Sequence, residues 1–326
     1  MTKAIICREH GSPKRIGLEE QADAPLQAGQ VRVAVNRVGV SYVDGLLITG
    51  DYQIKIPTPF IPGSDLSGNI SEVGENVSHF SVGDPVIASV GIGALTESIV
   101  LSPSQLTKAP EAMTHAMGAT FFQNNSTAHY ALVTLGKVCA GETVLVLGAA
   151  GGTGTAAVHI AKAMGAQVIA AASSAEKLEA CVESGADTTI NYAIEDLKQR
   201  AKELTHGRGV DLVFDPVAGD LAEPALRSCA PGGRYLVIGF VGGAIPKVPL
   251  NLPLIKRCSI LGVNWGADTA ADPSILKKTH ASLLKLFGEG KLPEPRFTEF
   301  AFADAGNAIA SLHERRAIGR AVVKVA

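Results

Sequence analysis

The sequence predicts an α/β protein of two domains, one antiparallel and barrel-like, the other a doubly wound parallel sheet. Three observations predict it. From about residue 118 to 263, short apolar strands alternate with helical stretches, the pattern that builds a parallel sheet covered on both faces. Within that zone one strand runs directly into a glycine-rich turn and out into an alanine-rich helix. Ahead of it, residues 1 to about 117 hold short β-like runs divided by Gly and Pro turn signals.

Taken in order, the early runs are Val31–Val35, Leu66–Val73, Pro85–Ala88 and Ser98–Leu101, punctuated by Pro62-Gly63 and Gly83-Asp84-Pro85. The strand candidates of the second domain are Thr143–Leu147, Gln167–Ala171, Thr188–Asn191, Leu212–Phe214, Arg234–Ile238 and Ser259–Val263. Helical stretches Thr155–Met164 and Ala175–Ser184 lie between the early ones. Beyond Asn264 come two amphipathic helices, near Pro273–Glu289 and Ala303–Glu314, and a last strand, Arg320–Val325, that is expected to return to the first domain. The expected division is therefore 1–117 with 264–326 for one domain and 118–263 for the other.

Composition narrows the function. The chain has 326 residues, 46% of them hydrophobic, enough for the cores of two domains. A net charge of -2 with no basic run excludes a nucleic-acid footprint and a polybasic membrane anchor. Charges at Lys3 and Arg8 interrupt the start, so no secretory signal core is expected, and the apolar stretch Thr143–Ala163 holds too many glycines for a membrane span. The five cysteines, Cys7, Cys139, Cys181, Cys229 and Cys258, form no CxxC. They read as small buried thiols of a cytoplasmic protein, not as a disulfide framework or a zinc site.

The strongest chemical signal is Gly148-Ala149-Ala150-Gly151-Gly152-Thr153-Gly154 between strand and helix. Gly151 lets backbone approach a pyrophosphate, Gly154 lets the helix pack onto the strand, and the helix N-terminus offers its N–H groups to the phosphates. Ala149 takes the place of the first glycine of GxGxxG. The competing reading is a glycine-rich turn without a ligand; the flanking strands and helix are the context that favours a dinucleotide. Dinucleotide sites for NAD carry an acidic residue at the end of the second strand. Here that end reads Ala172-Ser173-Ser174, with Lys177 one helical turn on and Glu176 on another helix face. Hydroxyls and an ammonium suit a 2′-phosphate, hence NADPH. Ser173 capping the helix above a solvated Lys177 is the plainer alternative, and the two are compatible.

The run Gly141-Glu142, Leu145, Ala149-Ala150-Gly151-Gly152-Thr153-Gly154, His159, Lys162 resembles the signature of the zinc-free quinone oxidoreductases, the zeta-crystallin-like branch of the medium-chain dehydrogenase/reductase superfamily. His159 stands where that family usually has glutamine. Pro62-Gly63-Ser64-Asp65-Leu66-Ser67-Gly68 and Glu72-Val73-Gly74 through Gly83-Asp84-Pro85-Val86 are similar to the superfamily in order and spacing. The resemblance spans essentially the whole chain. It implies a GroES-like β-barrel domain, a Rossmann domain, a cleft between them and a homodimer formed through the edge of the Rossmann sheet or nearby loops. It also implies cofactor contacts from Ala150, Gly151, Gly152, Thr153 and Gly154, from Ser173, Ser174, Lys177 and Tyr192 near the 2′-phosphate, and from Gly239, Phe240, Val241 and Thr127 near the nicotinamide. Asn264, Trp265 and Arg320 complete that set, with packing as the competing role for Tyr192, Trp265 and Arg320.

The zinc alcohol dehydrogenases of the superfamily place cysteine at the position of Ser41 and a His-Glu pair at Ser64-Asp65, and their cysteine-rich lobe has no counterpart here. Hydroxyls and one carboxylate do not replace soft ligands, so no metal site is expected. Hydride from NADPH would then reduce a quinone, or alternatively the activated alkene of an enone, acrylate or enoyl thioester. A third reading, from another class, is an NADPH-binding structural or sensing protein with little turnover. Ser41, Asp44 and Tyr52 are the catalytic candidates. By resemblance Tyr52 takes the place of a proton-donating tyrosine, against the alternative of a ring packed at the wall; Asp44 has a local turn role as its competing reading.

Overall fold

In the computed structural model, which describes residues 1–326, the alternating apolar run that begins at Val31 extends to Val40. Its pairing with Asp65–Val73 shifts register between Val35 and Arg37. One extra residue in a strand inverts the alternation beyond it. Val31, Val33 and Val35 are buried before the bulge, and Val38 and Val40 after it. Strict period-two reading therefore stops at Val35, although the strand does not.

This strand pairs antiparallel with Asp65–Val73, Ser98–Leu101 and Arg320–Lys324. Pro85–Ser89 and Leu106–Lys108 continue the sheet on one side, and Phe297–Ala301 joins Arg320–Lys324 in parallel on the other. Val33, Val38, Leu66, Ile70, Leu95 and Val323 lie at its core. The chain's last strand thus completes the first unit, as the resemblance to a GroES-like barrel implies.

The second unit is a six-stranded parallel sheet. Its order is Thr188–Asn191, Gln167–Ala172, Thr143–Leu147, Val210–Asp215, Cys229–Val237, Ser259–Gly262. All five side chains of Thr143–Leu147 are buried, as expected of a central parallel strand with both faces covered. Strand order reverses between Thr143–Leu147 and Val210–Asp215, and open parallel sheets of this Rossmann type bind ligands beyond the carboxyl ends of the strands at that reversal.

The compact units are Met1–Gln123 with Arg296–Ala326, and Asn124–Pro295. They differ from the expected 1–117 with 264–326 and 118–263. Residues 264–295 stay with the second unit, where their helices are tied by side chains to the helical segment around His129 and Tyr130. The Tyr130 hydroxyl donates to Asp268 at 2.8 Å, the Tyr130 and Trp265 rings lie 5.5 Å apart, and His129 Nε2 is 2.9 Å from Ser282 Oγ. Of the thiols, Cys7, Cys181 and Cys229 are buried; Cys258 is half-buried and Cys139 exposed, which departs from the expected burial of all five. No helix is long and apolar enough to cross a membrane.

Candidate functional site

In the second unit the helix Gly152–Ala163 starts immediately beyond the turn that closes Thr143–Leu147. A Cβ on Gly154 would lie 2.2 Å from the carbonyl oxygen of Gly148 and 2.7 Å from Ala149 Cα. Only glycine permits that approach, and it brings the helix N-terminus to the end of the strand. Gly151 is the N-cap residue with extended backbone, and its N-terminal turn has no acidic side chain to occupy the exposed N–H groups. Asn124 was not singled out in the sequence. Its Oδ1 accepts from Thr153 Oγ1 at 3.1 Å and fills the space over Gly152, where a Cβ would come within 2.9 Å of it. It sits on the helix Phe121–His129, one turn before the half-buried Thr127.

At the end of the second strand, Ser174 caps the helix Ala175–Glu183 and accepts from Lys177 N, while Lys177 Nζ reaches Ser173 Oγ, both at 3.4 Å. Tyr192 follows the third strand, and its N–H donates to Ala172 O at 3.1 Å. Ser173, Ser174 and Lys177 thus cluster at the end of the second strand with the Tyr192 backbone beside them, while the Tyr192 ring packs on the apolar core and Glu176 is exposed. The donor set there is two hydroxyls and one ammonium, which fits a phosphate group.

The fourth strand ends at Asp215, which is 1% exposed. Its carboxylate accepts from Val217 N and Ala218 N, both at 2.7 Å, and from the Tyr235 hydroxyl. Burial pushes this carboxyl above its ordinary range, and the three donors oppose the shift. Asp215 thereby shapes the loop at the strand-order reversal, in which Ala218 adopts φ 58°. Gly239, Phe240 and Val241 lie on the loop after the fifth strand, which bonds to that one: Val241 N donates to Pro216 O at 3.1 Å and Gly242 N to Val217 O at 2.7 Å. Phe240 is 40% exposed. Sequence reading missed Asp215 and Tyr235; the one signal was an acidic residue at the carboxyl end of a strand. Asn264 is exposed and caps the helix Trp265–Ala271, and Trp265 packs on Tyr130.

In the first unit, Ser41 opens the helix Tyr42–Thr49. Asp44, 1% exposed, accepts from Ser41 N at 2.6 Å, Ser41 Oγ at 2.9 Å and Gly63 N at 3.2 Å. Its loss would strand two backbone N–H donors, at about 1–3 kcal/mol each where such groups are buried. Gln123 Nε2 donates to Ser41 Oγ at 2.9 Å, Gln123 Oε1 accepts from Ser64 Oγ, and Gln123 N donates to Asp65 Oδ2 at 2.8 Å. Arg320 is 2% exposed and donates from Nη1 to Thr120 O at 2.9 Å, with Asp65 as its electrostatic partner. Tyr52 is half-buried beyond the same helix, packed against the barrel core. Ser41, Asp44 and Arg320 thus belong to one buried polar network. Its hydroxyls are engaged with Gln123, and its one amino-acid cation is a guanidinium, so the residues present do not fit a zinc ion.

Burial raises Asp44 to about 6 and Asp65 to about 7, against hydrogen bonds that favour the carboxylates. Both folded values lie above the unfolded one near 3.8. The folded protein therefore binds more protons than the unfolded chain between those limits, so these groups stabilise it most at low pH and lose that contribution as pH rises through about 6 and 7. Asp65→Asn removes one such proton. Urea unfolding across pH 4.5 to 7.5 should show a less negative pH slope for the variant than for the parent, and identical slopes would contradict the raised value.

Residues 27–111 match the family described as "Alcohol dehydrogenase GroES-like domain", and residues 152–280 the family "Zinc-binding dehydrogenase". The chain is 36% identical to a quinone oxidoreductase-like protein 2 homolog of Nematostella vectensis, over 98% of this chain and 88% of the relative. The fold is similar to that of the Escherichia coli quinone oxidoreductase complexed with NADPH, with TM-score 0.88, 26% identity and 100% of both chains covered. It is also similar to the CurK enoyl reductase, with TM-score 0.86, 27% identity and 99% of both chains covered.

Proposed function

Since the chain belongs to the quinone oxidoreductase branch of the medium-chain dehydrogenase/reductase superfamily, we propose that it reduces quinones with NADPH and without zinc. The observation that carries the cofactor assignment is the cluster of Ser173, Ser174 and Lys177 at the second strand's end, beside a glycine turn that only glycine can form. NADPH supplies the hydride when bound. The N–H groups of Gly152, Thr153 and Gly154 would hold the pyrophosphate, with Ala150 and Gly151, whose own N–H closes the turn onto Gly148 O at 3.0 Å, letting the backbone approach it. Ser173, Ser174 and Lys177, with Tyr192 beside them, would hold the 2′-phosphate end. The loop Gly239–Val241, hydrogen-bonded to the loop that Asp215 shapes, and Thr127 would flank the nicotinamide, with Asn264 and Trp265 beside them on their helix; Arg320 is instead committed to Thr120 and Asp65 in the first unit.

Lys177→Ala tests this directly. Losing one charge-assisted hydrogen bond of about 1.5–3 kcal/mol weakens NADPH binding by roughly ten- to a hundredfold. NADH binding, which lacks the 2′-phosphate, should stay within about twofold, too small a change to amount to a lost hydrogen bond. Equal weakening of both nucleotides in a fluorescence titration would remove Lys177 from the phosphate site.

A second reading, reduction of activated alkenes, is supported by the likeness to an enoyl reductase and by Tyr52, whose hydroxyl is a proton donor of the kind alkene reduction needs. NADPH consumption with a benzoquinone and with a small enone in parallel separates the two. Turnover of the quinone alone supports the proposal. Turnover of the enone alone transfers it to alkene reduction, and there Tyr52→Phe should slow the reaction by about 10²–10⁴ while sparing quinone reduction. Binding of NADPH without turnover of either acceptor would favour a sensing or structural role.

The second unit exposes Ile245, Leu250 and Leu254 at 74%, 87% and 78%. A second copy of the chain would cover such a surface, in keeping with a homodimer. Light scattering should return twice the chain mass of 33.7 kDa; a monomeric mass at micromolar concentration would oppose it.

A further inference from the structure

Cys229 opens the fifth strand of the parallel sheet, and Cys258 immediately precedes the sixth. Arg234 is paired with Ser259, and Gly232 N donates to Arg257 O at 2.7 Å. One step back along both strands, Gly233 stands beside Cys258. Side chains of such neighbours in parallel strands share a face and stand about 5 Å apart. Gly233 has no side chain, and Cys229 occupies the space it leaves: a Cβ on Gly233 would lie 3.2 Å from Cys229 Cβ. The chain doubles back through Pro231-Gly232 to achieve this, which is why two cysteines 29 positions apart meet across a glycine. Cys229 is fully buried and Cys258 half-buried at the edge of the same apolar cluster.

We propose that Cys229 and Cys258 form a peroxide-oxidisable dithiol, with Cys258 as the attacking sulfur and Cys229 as the resolving one. The assignment of roles follows from surroundings. Cys258 has access to solvent, Lys256 lies beside it, and Lys202 and Lys198 of the helix Leu197–Leu204 lie near Lys256. Partly exposed thiols in electropositive surroundings are the reactive ones. Proximity to Cys229, with Lys256 assisting, lowers the Cys258 thiol to about 7, while the same proximity and burial push Cys229 up.

The chemistry balances with hydrogen peroxide as oxidant. The Cys258 thiolate attacks one peroxide oxygen, an S–O bond forms, the O–O bond breaks and hydroxide leaves. The sulfur, now a sulfenic acid, has given two electrons to the peroxide. The Cys229 thiol then attacks that sulfur. The S–S bond forms, the S–OH bond breaks, and the thiol proton departs with the hydroxyl as water. The product crosslinks the fifth and sixth strands at their amino ends, opposite the ends that lead to Gly239 and Asn264.

The test uses the intact protein, exposed to hydrogen peroxide near pH 7 and digested without reductant. Mass spectrometry should find the peptides of Cys229 and Cys258 joined with the loss of two hydrogens, and thiol labelling after denaturation should fall by two per chain. Exposed Cys139 is the internal comparison. Cys258→Ser should abolish the crosslink. Cys229→Ala should leave a sulfenic acid on Cys258 that dimedone captures. The wild-type measurement needs no variant to fold. Oxidation confined to Cys139, or a crosslink between any other pair, would overturn the proposal, as would Cys229 and Cys258 remaining reduced throughout.

Discussion

The second unit depends on how closely the helix Gly152–Ala163 can approach the strand Thr143–Leu147. Gly154 sets that distance, since any side chain there would meet the Gly148 carbonyl oxygen at 2.2 Å. The approach aims the unsatisfied N–H groups of the first helical turn past the strand end, where an anion is stabilised by both the hydrogen bonds and the helix dipole. Neighbouring loops are built around this point. Asn124 braces Thr153 from one side, and Asp215 gathers the backbone of Val217 and Ala218 on the other. Both accept hydrogen bonds from protein donors, which ties the loops on either side of the turn to it.

The first unit solves a different problem. A cysteine and a His-Glu pair would hold metal in the dehydrogenase relatives, and here Ser41, Ser64 and Asp65 stand instead. Their hydrogen bonds are turned inward, onto Gln123, Asp44 and the backbone. Two carboxyls and a guanidinium share this interior, and each is shifted toward its neutral form by burial. Removing one member of such a cluster leaves the rest uncompensated.

Local features were readable in the sequence. Strand, glycine turn and helix follow one another without interruption between Thr143 and Ala163, so the pattern carries its own context. Ser173, Ser174 and Lys177 were visible for the same reason. What escaped is non-local or breaks a period. The bulge beyond Val35 inverts alternation and hides the second half of the longest strand. Asp215 and Tyr235 are 20 positions apart, and Thr153 and Asn124 are 29 apart, so nothing in the sequence pairs them. The boundary near 264 was misplaced because Tyr130 and His129, far upstream, decide where the helices Trp265–Ala271 and Pro273–Gly288 belong. The cysteines, scattered in sequence, are brought together only by the parallel pairing of two strands.

The strand Val31–Val40 pairs with Arg320–Lys324, and the whole second unit lies between them in the chain. Synthesis therefore delivers all six strands of the parallel sheet before the barrel's last strand leaves the ribosome. The contiguous unit can finish its sheet while the discontinuous one still has the Arg37–Val40 edge of its longest strand unpaired. Order of completion is thus inverted relative to order of synthesis: the first unit begun is the last closed, and an exposed strand edge is the feature it carries in that interval.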